Sequence, residues 1–351
     1  MSLRIDTTGP LVGYIESLIG GRSENQDSAG SQETPMGTIV VVCDGMGGMK
    51  GGKTASTLAV QTIIDDVSAA PADAFAKEVL EKAIRHAQEV LLKKAEEVPD
   101  LKGMGTTVTA VLIQQKYATV AHLGDSRIYQ FRGHKVVFRT WDHSMVFQMV
   151  KAGTITEEQA RLSSQSNILL KALGVPGEIE PEISVLPYLK GDRFVLCSDG
   201  FWNPLPEPEF IAMMTRKGDM KEMLAEAADE INNLGRMGGG GHDNLTAAVF
   251  DVKTESTLKP TMTKKQKLLF CVLALLLVGS IALNVFQWLH RPEPAAPAVQ
   301  TESAVPLQGE EFVEQETEHS IGDVPDDQKD NEAQKDEETR TDKEKTPETN
   351  K

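Results

Sequence analysis

The feature that most constrains the fold is a run of four apolar segments joined by very short connections. The connections, at 115–116, 124–126 and 133–134, are only two or three residues long. A parallel crossover needs a dozen or more residues, so connections this short join neighbouring strands as hairpins. The pattern therefore predicts consecutive antiparallel strands at 105–114, 117–123, 127–131 and 135–139.

The other apolar patterns up to about residue 255 predict helices that can cover such sheets. Short apolar runs predict further strands at 38–43, 183–186, 193–197 and 245–252. Apolar side chains spaced by three and four residues predict helices at 53–69, 75–97 and 207–234, while 144–173 is expected to be loop and short helix. Antiparallel strands with amphipathic helices predict an α+β fold, an antiparallel β-sandwich flanked by helices on both outer faces.

Beyond this globular zone, assigned to residues 1–255, the composition changes. Residues 268–289 form a run of 22 residues without a charge. A helix of that length is about 33 Å long and matches a hydrocarbon core of about 30 Å, so we expect a transmembrane helix in contact with membrane lipid. A basic linker is expected at 256–267. Residues 290–351 are expected to be a disordered acidic tail, since they hold most of the chain's net charge of -16 and few large apolar residues.

The charges beside the apolar run predict its orientation. Lys264, Lys265 and Lys267 precede it, whereas only His290 and Arg291 follow it before the chain turns acidic. The positive-inside rule then predicts a single-pass membrane protein with a cytoplasmic globular domain and an extracytoplasmic tail. No apolar stretch near the N-terminus is typical of a signal peptide. The acidic balance argues against a nucleic-acid partner, and the three cysteines lack the spacing of a zinc site.

Aspartates beside glycines recur where apolar strands are predicted to end. They are Asp44, Asp125, Asp199 and Asp243, and Asp27 lies just before the first of these strands. Each one alone is explained by a turn, because Asp-Gly is a common turn dipeptide. If the strands are neighbours, however, five carboxylates converge and repel one another unless cations lie between them. Ligand sets made only of oxygen select hard ions such as Mg²⁺ or Mn²⁺, so the pattern predicts a binuclear site that activates water.

Eight short motifs follow one another along residues 20–252. They are R-x-x-N-Q-D at 22–27, D-G-M-G-G at 44–48, G-T-T at 105–107, G-D-S-R at 124–127, D-H-S at 142–144, N-I-L-L-K-A-L-G at 167–174, S-D-G at 198–200 and G-G-x-D-N at 240–244. In this order they resemble the metal-dependent protein phosphatases of type 2C, the PPM family, in its bacterial branch. The resemblance implies a phosphatase that hydrolyses phosphoserine and phosphothreonine, with phosphorylated proteins as substrates and a cognate Ser/Thr kinase as a partner.

The resemblance also implies a role for each matched residue. It implies two Mn²⁺ or Mg²⁺ ions that share a bridging hydroxide, and a weaker third ion in bacterial members. The implied metal ligands are Asp44 bridging both ions, Gly45 through its carbonyl, Asp199 and Asp243 at the first ion, Asp27 near the second, and Asp125 with Asp199 at the third, close to Ser144. Arg22 is implied as the phosphate anchor, so that Arg22 and Asp44 are the catalytic residues. The implied supports of the site are Gly105, Thr106, Asp142 and Asn244.

The chain departs from the family pattern at two positions. Met46 stands where animal-type members have a histidine proposed to protonate the leaving group, so a water is the expected acid. His143 and His242 are alternative acids, although histidines of this kind more often serve a turn or a core. Lys171 replaces an arginine common in bacterial members, which puts a phosphate role at that position in doubt.

Two other hypotheses remain open from the sequence. Residues 47–54 fit the P-loop pattern G-x-x-x-x-G-K-[ST], after a predicted strand and before a predicted helix. A P-loop enzyme needs parallel strands, which the hairpins contradict, and Lys53 is then expected to face solvent in the first helical turn. The second hypothesis is a catalytically weak phosphatase fold that serves as a membrane sensor or scaffold. The complete set of aspartates argues against it.

Overall fold

The computed structural model describes residues 3–5, 11–254, 272, 275–283 and 285–286. The chain divides into two units, Met1–Leu277 and Val278–Lys351. The strands of the first unit are β1 (Leu3–Ile5), β2 (Leu11–Leu18), β3 (Ser28–Thr34), β4 (Gly37–Cys43), β5 (Gly45–Met46), β6 (Gly105–Thr106), β7 (Val108–Ile113), β8 (Ala118–Leu123), β9 (Arg127–Arg132), β10 (Lys135–Arg139), β11 (Glu182–Leu186), β12 (Arg193–Cys197) and β13 (Leu245–Val252). The α-helices are α1 (Gly48–Ala69), α2 (Ala76–Glu97), α3 (Met145–Lys151), α4 (Glu157–Arg161), α5 (Asp199–Trp202), α6 (Glu207–Met214) and α7 (Met220–Met237).

Two large sheets form the centre of this unit. One has six strands in the order β1-β2-β13-β12-β9-β10, and the other has five in the order β11-β8-β7-β4-β3. Every pairing in both sheets is antiparallel. The antiparallel sheets predicted from the short connections are therefore confirmed. The patterns did not predict β1, β2 or β3.

The connection at 124–126 is not a hairpin, and that part of the prediction was wrong. The β7–β8 and β9–β10 connections do form hairpins, but β8 lies in the five-stranded sheet and β9 in the six-stranded one. The chain crosses between the sheets at Gly124, whose φ is 110°. A side chain there would stand 2.7 Å from a Thr107 methyl carbon, so only glycine fits the crossing. Asp125 is thereby placed at the seam of the sandwich.

Alternation along the central strands builds three layers of core. In β4, Ile39, Val41 and Cys43 pack towards the helices, while Val40 and Val42 pack between the sheets. In β12, Val195 packs towards the helices and Phe194 packs between the sheets. Both faces of these strands are buried, which explains why they read as continuous apolar runs.

Helices cover the outer face of each sheet. Residues of α1 and α2 pack on the five-stranded sheet, and residues of α3, α5, α6 and α7 pack on the six-stranded sheet. The predicted sandwich with helices on both outer faces is confirmed. The single helix predicted at 207–234 is in fact two, α6 and α7. Gly218, with φ 136°, lies between them and lets the chain turn.

Only part of the predicted transmembrane segment is described. Residues 272, 275–283 and 285–286 are helical and their side chains are exposed. Among the residues that the structure describes, no helix is both long enough and apolar enough to cross a membrane. The rest of 268–289, the predicted linker at 256–267 and the predicted tail at 290–351 lie outside the described residues.

Candidate active site

A cavity of about 430 Å³ opens where strands of the two sheets end. Four of the predicted aspartates line it. Asp44 follows β4 and Asp125 follows β8, both in the five-stranded sheet, whereas Asp199 follows β12 and Asp243 precedes β13 in the other. Gly45 and Arg22 also line the cavity. The structure thus brings together residues that are up to 221 positions apart in the sequence.

Asp27 lies beneath this cavity and is not part of its lining. Its side chain is buried, and its Oδ2 accepts a hydrogen bond of 2.8 Å from the Ser198 hydroxyl. Its negative charge is the strongest of the neighbouring charges that raise the pKa of Asp44. The fifth predicted aspartate therefore belongs to the same electrostatic cluster as the four in the cavity wall.

Burial and mutual repulsion raise the pKa values of four aspartates of the cluster. Burial, followed by the charges of Asp199 and Asp243 and opposed by hydrogen bonds, raises the pKa of Asp27 to about 7. Burial and then Asp243 raise the pKa of Asp199 to about 6. The pKa values of Asp44 and Asp125 lie well above the usual range for the same two reasons. Within the described residues, no lysine or arginine forms an ion pair with any of these four carboxylates.

The donor set suits hard divalent cations. Asp27 Oδ1 and Asp199 Oδ1 are buried and accept no hydrogen bond from the described residues. Such orphaned acceptors are rare and call for an explanation, which a bound cation supplies. The side-chain donors of the cluster are all carboxylate oxygens, the ligands that Mg²⁺ and Mn²⁺ prefer. Gly45 is required beside them, because a Cβ there would lie 2.1 Å from the carbonyl oxygen of Gly52.

Two threonines fix the position of Asp44. Its backbone nitrogen donates to Thr107 Oγ1 at 2.9 Å, and its carbonyl accepts from Thr107 N at 2.9 Å and from Thr106 Oγ1 at 2.7 Å. Thr107 is held in turn by the Ser126 hydroxyl at 2.7 Å. These contacts explain why the predicted strand 105–114 is broken at Thr107 into β6 and β7. Thr106 was predicted from the sequence as a support of the site. Thr107 and Ser126 were not, although Thr107 is the second threonine of G-T-T.

A buried ion pair supports Asp125 from the other side. Asp142 accepts two hydrogen bonds from Arg127, at 2.8 and 2.9 Å. The Arg127 guanidinium carbon lies 3.3 Å from the centre of the Trp202 ring, whose Nε1 donates to the Asp125 carbonyl at 3.1 Å. Asp142 therefore acts through Arg127 and Trp202, and the predicted supporting role of Asp142 now has a physical route.

Arg22 stands at the rim of the cavity. Its Nη2 donates to Asp243 Oδ2 at 2.9 Å, and 52% of its side chain is exposed. Asn244 holds the segment that carries Arg22, since its Nδ2 donates to the carbonyls of Ile19 and Glu24 at 2.8 and 2.9 Å. A guanidinium has five donors in a planar fork, so one bond to Asp243 leaves donors for a phosphoryl group.

The residues of the predicted third site also meet. Asp125, Ser144 and Asp199 are among the lining residues of a small adjoining cavity of about 10 Å³. Lys171 lies elsewhere, with its Nζ 3.4 Å from the Glu180 carbonyl, and it does not line the main cavity.

Neither histidine considered as an acid lines the main cavity. His242 Nε2 pairs with Asn232 Oδ1 at 2.8 Å on α7. His143 Nδ1 accepts from the Gly124 amide at 3.2 Å, and burial lowers the pKa of His143 to about 4. Both histidines serve a structural contact, while Met46 occupies the cavity wall where animal-type members have histidine.

The P-loop hypothesis is contradicted by the structure. Strand β4, which precedes the motif, has β3 and β7 as neighbours, and both are antiparallel to it. The expectation that Lys53 faces solvent was also wrong, because its Nζ donates to the Asp27 carbonyl at 2.7 Å and to the Ser28 hydroxyl at 3.1 Å. Gly52 packs so close to Gln26 that a Cβ would stand 2.6 Å from its Oε1. The lysine and glycines of the motif hold the segment before β3.

Comparison with known proteins agrees with this geometry. A model of the family described as Protein phosphatase 2C matches residues 16–233. The serine/threonine phosphatase stp of Listeria monocytogenes is 35% identical over 234 residues, which cover 66% of this chain and 91% of that protein. The crystal structure of the Mycobacterium tuberculosis serine/threonine phosphatase PstP is similar with a TM-score of 0.61 and 30% identity, covering 69% of this chain and 99% of that one.

A second similar structure contains metal ions. The catalytic domain of PstP in complex with two manganese ions is similar with a TM-score of 0.58 and 31% identity, covering 69% of this chain and 98% of that one. The family match covers more than half of this chain and includes Asp44, Asp125 and Asp199, which line one cavity. The chain belongs to the protein phosphatase 2C family and is an enzyme of the protein serine/threonine phosphatase class.

Proposed function

We propose that this chain hydrolyses phosphoserine and phosphothreonine in phosphorylated proteins by means of two Mn²⁺ or Mg²⁺ ions. The observation that carries the proposal is the convergence of Asp44, Asp199 and Asp243 at one cavity, with Arg22 at its rim and the buried Asp27 in the same electrostatic cluster. The raised pKa values of Asp27, Asp44 and Asp199 support it, because burial and the neighbouring carboxylates disfavour the charged forms that bound cations would stabilise. A phosphoryl group alone would be repelled there.

The residues that would hold the ions are assigned from this arrangement. Asp44, Asp199 and Asp243 with the Gly45 carbonyl would be ligands, and Asp27 would act close to the second ion. When bound, the two ions supply the Lewis acidity that activates water and offsets the charge of the phosphate. Thr106 and Thr107 keep the Asp44 backbone in place, so the site needs little rearrangement to accept them.

Arg22 would bind and orient the phosphoryl group. Its guanidinium is charged at every working pH, so it moves no proton and acts by position and charge. The 2.9 Å bond to Asp243 fixes the guanidinium beside the carboxylates. Phosphate oxygens bound by a planar fork are held in one orientation, which favours in-line attack on phosphorus.

A weaker third ion is part of the same proposal. Asp125, Asp199 and Ser144 would be closest to it, because they line the small cavity next to the main one. The Trp202 indole donates to the backbone carbonyl of Asp125 and so holds the segment that carries this carboxylate.

The test uses the full-length chain and a phosphothreonine peptide. Phosphate release should require Mn²⁺ or Mg²⁺, stop in excess EDTA and return when the metal is restored. Release of phosphate at full rate in EDTA would refute the metal mechanism. A folded protein that binds Mn²⁺ and hydrolyses neither phosphothreonine nor phosphoserine peptides would instead favour the sensor or scaffold hypothesis.

We further propose that residues 268–289 anchor the enzyme in a membrane, with the phosphatase domain in the cytoplasm. The support is sequence alone: 22 uncharged residues preceded by Lys264, Lys265 and Lys267. A cytoplasmic domain would meet phosphoproteins made by a Ser/Thr kinase, which we propose as the functional partner. The tail at 290–351 would then lie on the other side.

Cysteine labelling in intact cells tests this orientation. In a variant without native cysteines, a cysteine replaces either Ser303 in the tail or Ser164, which is exposed on the phosphatase domain. If the cells have an outer membrane, it is first permeabilised. A membrane-impermeant maleimide should label position 303 and spare position 164. Labelling at 164 in intact cells would reverse the proposed orientation.

A further inference from the structure

Two histidines and a glutamate meet outside the active-site cavity. His122 lies in β8, and Glu182 is its direct partner across the ladder in β11. His143 lies in the segment between β10 and α3 and stacks on His122 with ring centres 4.6 Å apart. None of the three side chains lines the main cavity. The family motifs place no role on His122 or Glu182.

The ligand atoms of this cluster are close enough to share one ion. Glu182 Oε2 lies 3.4 Å from His143 Nε2 and 3.9 Å from His122 Nδ1. One ligand atom from each of the three residues lies within 4.8 Å of the others. Ligands of a tetrahedral ion with bonds of about 2.1 Å stand about 3.4 Å apart, so small side-chain shifts would complete the geometry.

His122 carries the observation that calls for a ligand. Its side chain is only 1% exposed, and neither of its ring nitrogens has a hydrogen-bond partner among the described residues. A neutral imidazole has one donor and one acceptor, and leaving both unmet in the interior is unfavourable. Glu182 Oε2 lies 3.9 Å from the Nδ1 of His122, and 58% of the Glu182 side chain is exposed.

We propose that His122, His143 and Glu182 form a binding site for a divalent transition-metal ion of the Zn²⁺ type, separate from the aspartate centre. Two imidazole nitrogens and one carboxylate are the ligands that such ions prefer, and a water would complete the coordination. Mg²⁺ binds such nitrogen ligands poorly and prefers oxygen. The two sites therefore differ in the metal they select.

Proton positions set a condition on binding. His143 Nδ1 accepts from the Gly124 amide, so Nε2 carries the proton in the metal-free protein. When Nε2 binds the ion, that proton moves to Nδ1, and the hydrogen bond from Gly124 is lost because both groups are then donors. The loss is offset at His122, where an orphaned nitrogen gains a ligand. Glu182 is already ionised, since the adjacent imidazoles of His122 and His143 lower its pKa to about 2.

Co²⁺ is the probe for the experiment, because four-coordinate Co²⁺ with nitrogen ligands absorbs visible light far more strongly than six-coordinate Co²⁺ with oxygen ligands. The full-length chain is saturated with Mg²⁺ and titrated with Co²⁺, and bound Co²⁺ is then displaced with Zn²⁺. Glu182→Gln removes a ligand while keeping the shape of the side chain. Glu180→Gln is the matched control, since Glu180 is 79% exposed and outside the cluster.

The wild-type chain should bind one equivalent of Co²⁺ with the strong visible spectrum, and Zn²⁺ should abolish that spectrum. Glu182→Gln should weaken binding at least tenfold, His143→Gln should do the same, and Glu180→Gln should not change it. A wild-type chain without the strong spectrum would overturn the proposal. A spectrum that both cluster variants retain with unchanged affinity would place the ion elsewhere and would overturn it as well.

Discussion

Two groups of buried aspartates in this molecule are stabilised in opposite ways. Asp142 and Asp192 each accept two hydrogen bonds from one arginine, Arg127 and Arg132. Asp27, Asp44, Asp125 and Asp199 form the second group and have no arginine partner within the described residues, whereas Asp243 accepts a single hydrogen bond from Arg22. The first group has its counter-charge built into the fold. The second requires a counter-charge from outside.

This difference separates stability from function. A buried carboxylate with its own arginine makes no demand on the solution, and removing one member of the pair leaves a buried charge behind. A buried carboxylate without a partner destabilises the empty protein and binds cations in return. The unpartnered aspartates therefore combine a cost in stability with the capacity to bind cations.

The largest effect is expected when the built-in pair is broken. Asp142→Asn leaves the buried Arg127 guanidinium without its counter-charge and should lower the free energy of unfolding by about 3–5 kcal/mol. Denaturant unfolding of the full-length chain measures the change. Asp229→Asn, at an exposed position on α7, should stay within about 0.5 kcal/mol. A loss at Asp142 no larger than at Asp229 would remove the distinction between the two groups.

The next effect is expected at the unpartnered group. Asp44→Asn should lower kcat/KM at least a hundredfold, which corresponds to about 2.7 kcal/mol of transition-state stabilisation. The same change should not lower the melting temperature in EDTA, because it removes a buried charge that no protein group balances. Phosphate release and thermal unfolding are measured on the same preparation. An Asp44→Asn variant that stays active and melts at a lower temperature in EDTA would contradict the assignment of Asp44 to the unpartnered group.

Arg22 tests whether the rim binds substrate or only holds Asp243. Arg22→Ala should raise KM about tenfold, since a charge-assisted bidentate contact is lost while the carboxylates remain. The KM of Arg22→Lys should lie between those of wild type and Arg22→Ala, because lysine keeps the charge without the planar fork. Bound Mn²⁺ is measured for each variant. If the alanine variant loses Mn²⁺ and keeps its KM, Arg22 acts through Asp243 at 2.9 Å and not on phosphate.

The two groups should also respond to pH with opposite signs. Burial favours a higher pKa for Asp192, but hydrogen bonds from Arg132 and its neighbours prevail and lower it. Its contribution to stability is therefore present above the unfolded-state pKa of about 3.9 and is lost on acidification. Asp27 has a pKa raised to about 7, so its contribution is present at low pH and is lost as the pH rises through about 7.

Melting curves of wild type and each variant, recorded across pH, measure the direction of these two pH dependences. The difference between wild type and Asp192→Asn should shrink from pH 7 to pH 3. In EDTA, the difference between wild type and Asp27→Asn should become less favourable to wild type from pH 5 to pH 8. The same direction in both series would contradict the comparison.

The smallest effect is expected at Lys53, which touches the unpartnered group only through backbone. Lys53→Ala removes bonds to the Asp27 carbonyl and the Ser28 hydroxyl, and should cost about 1 kcal/mol of stability. Phosphatase activity should remain within a few-fold of wild type, and ATP hydrolysis should be absent in both proteins. A complete loss of phosphatase activity in a folded variant would show that Lys53 acts on the site itself.

The sequence predicted the parts of the fold that depend on local pattern. The short connections identified the antiparallel strands, and the continuous apolar run of β4 identified a strand buried on both faces. Strand β3 has the sequence SAGSQET, in which no apolar alternation exists, because it lies at a sheet edge and pairs only with β4. Its partner, and not its composition, makes it a strand.

The sequence predicted the residues of the site better than the contacts that hold them in place. Motif order identified the five aspartates and Arg22, but their meeting depends on the crossing at Gly124 between two sheets, which a short connection alone suggested was a hairpin. The role of Lys53 depends on a contact 26 positions away, and the pairing of His122 with Glu182 depends on strand register. Such long-range contacts leave no periodic signal in the sequence.

The stacking of Trp202 has an optical consequence. Its indole lies between the Arg127 guanidinium and the Asp125 carbonyl, one hydrogen bond away from a residue that faces the cavity. The emission of an indole depends on the charges and dipoles around it. Around Trp202 these belong to Arg127, which is paired with Asp142, and to Asp125, a proposed metal ligand. Trp202 is thus a native fluorophore at the seam between the two sheets, and its emission should respond to cation binding there without any added label.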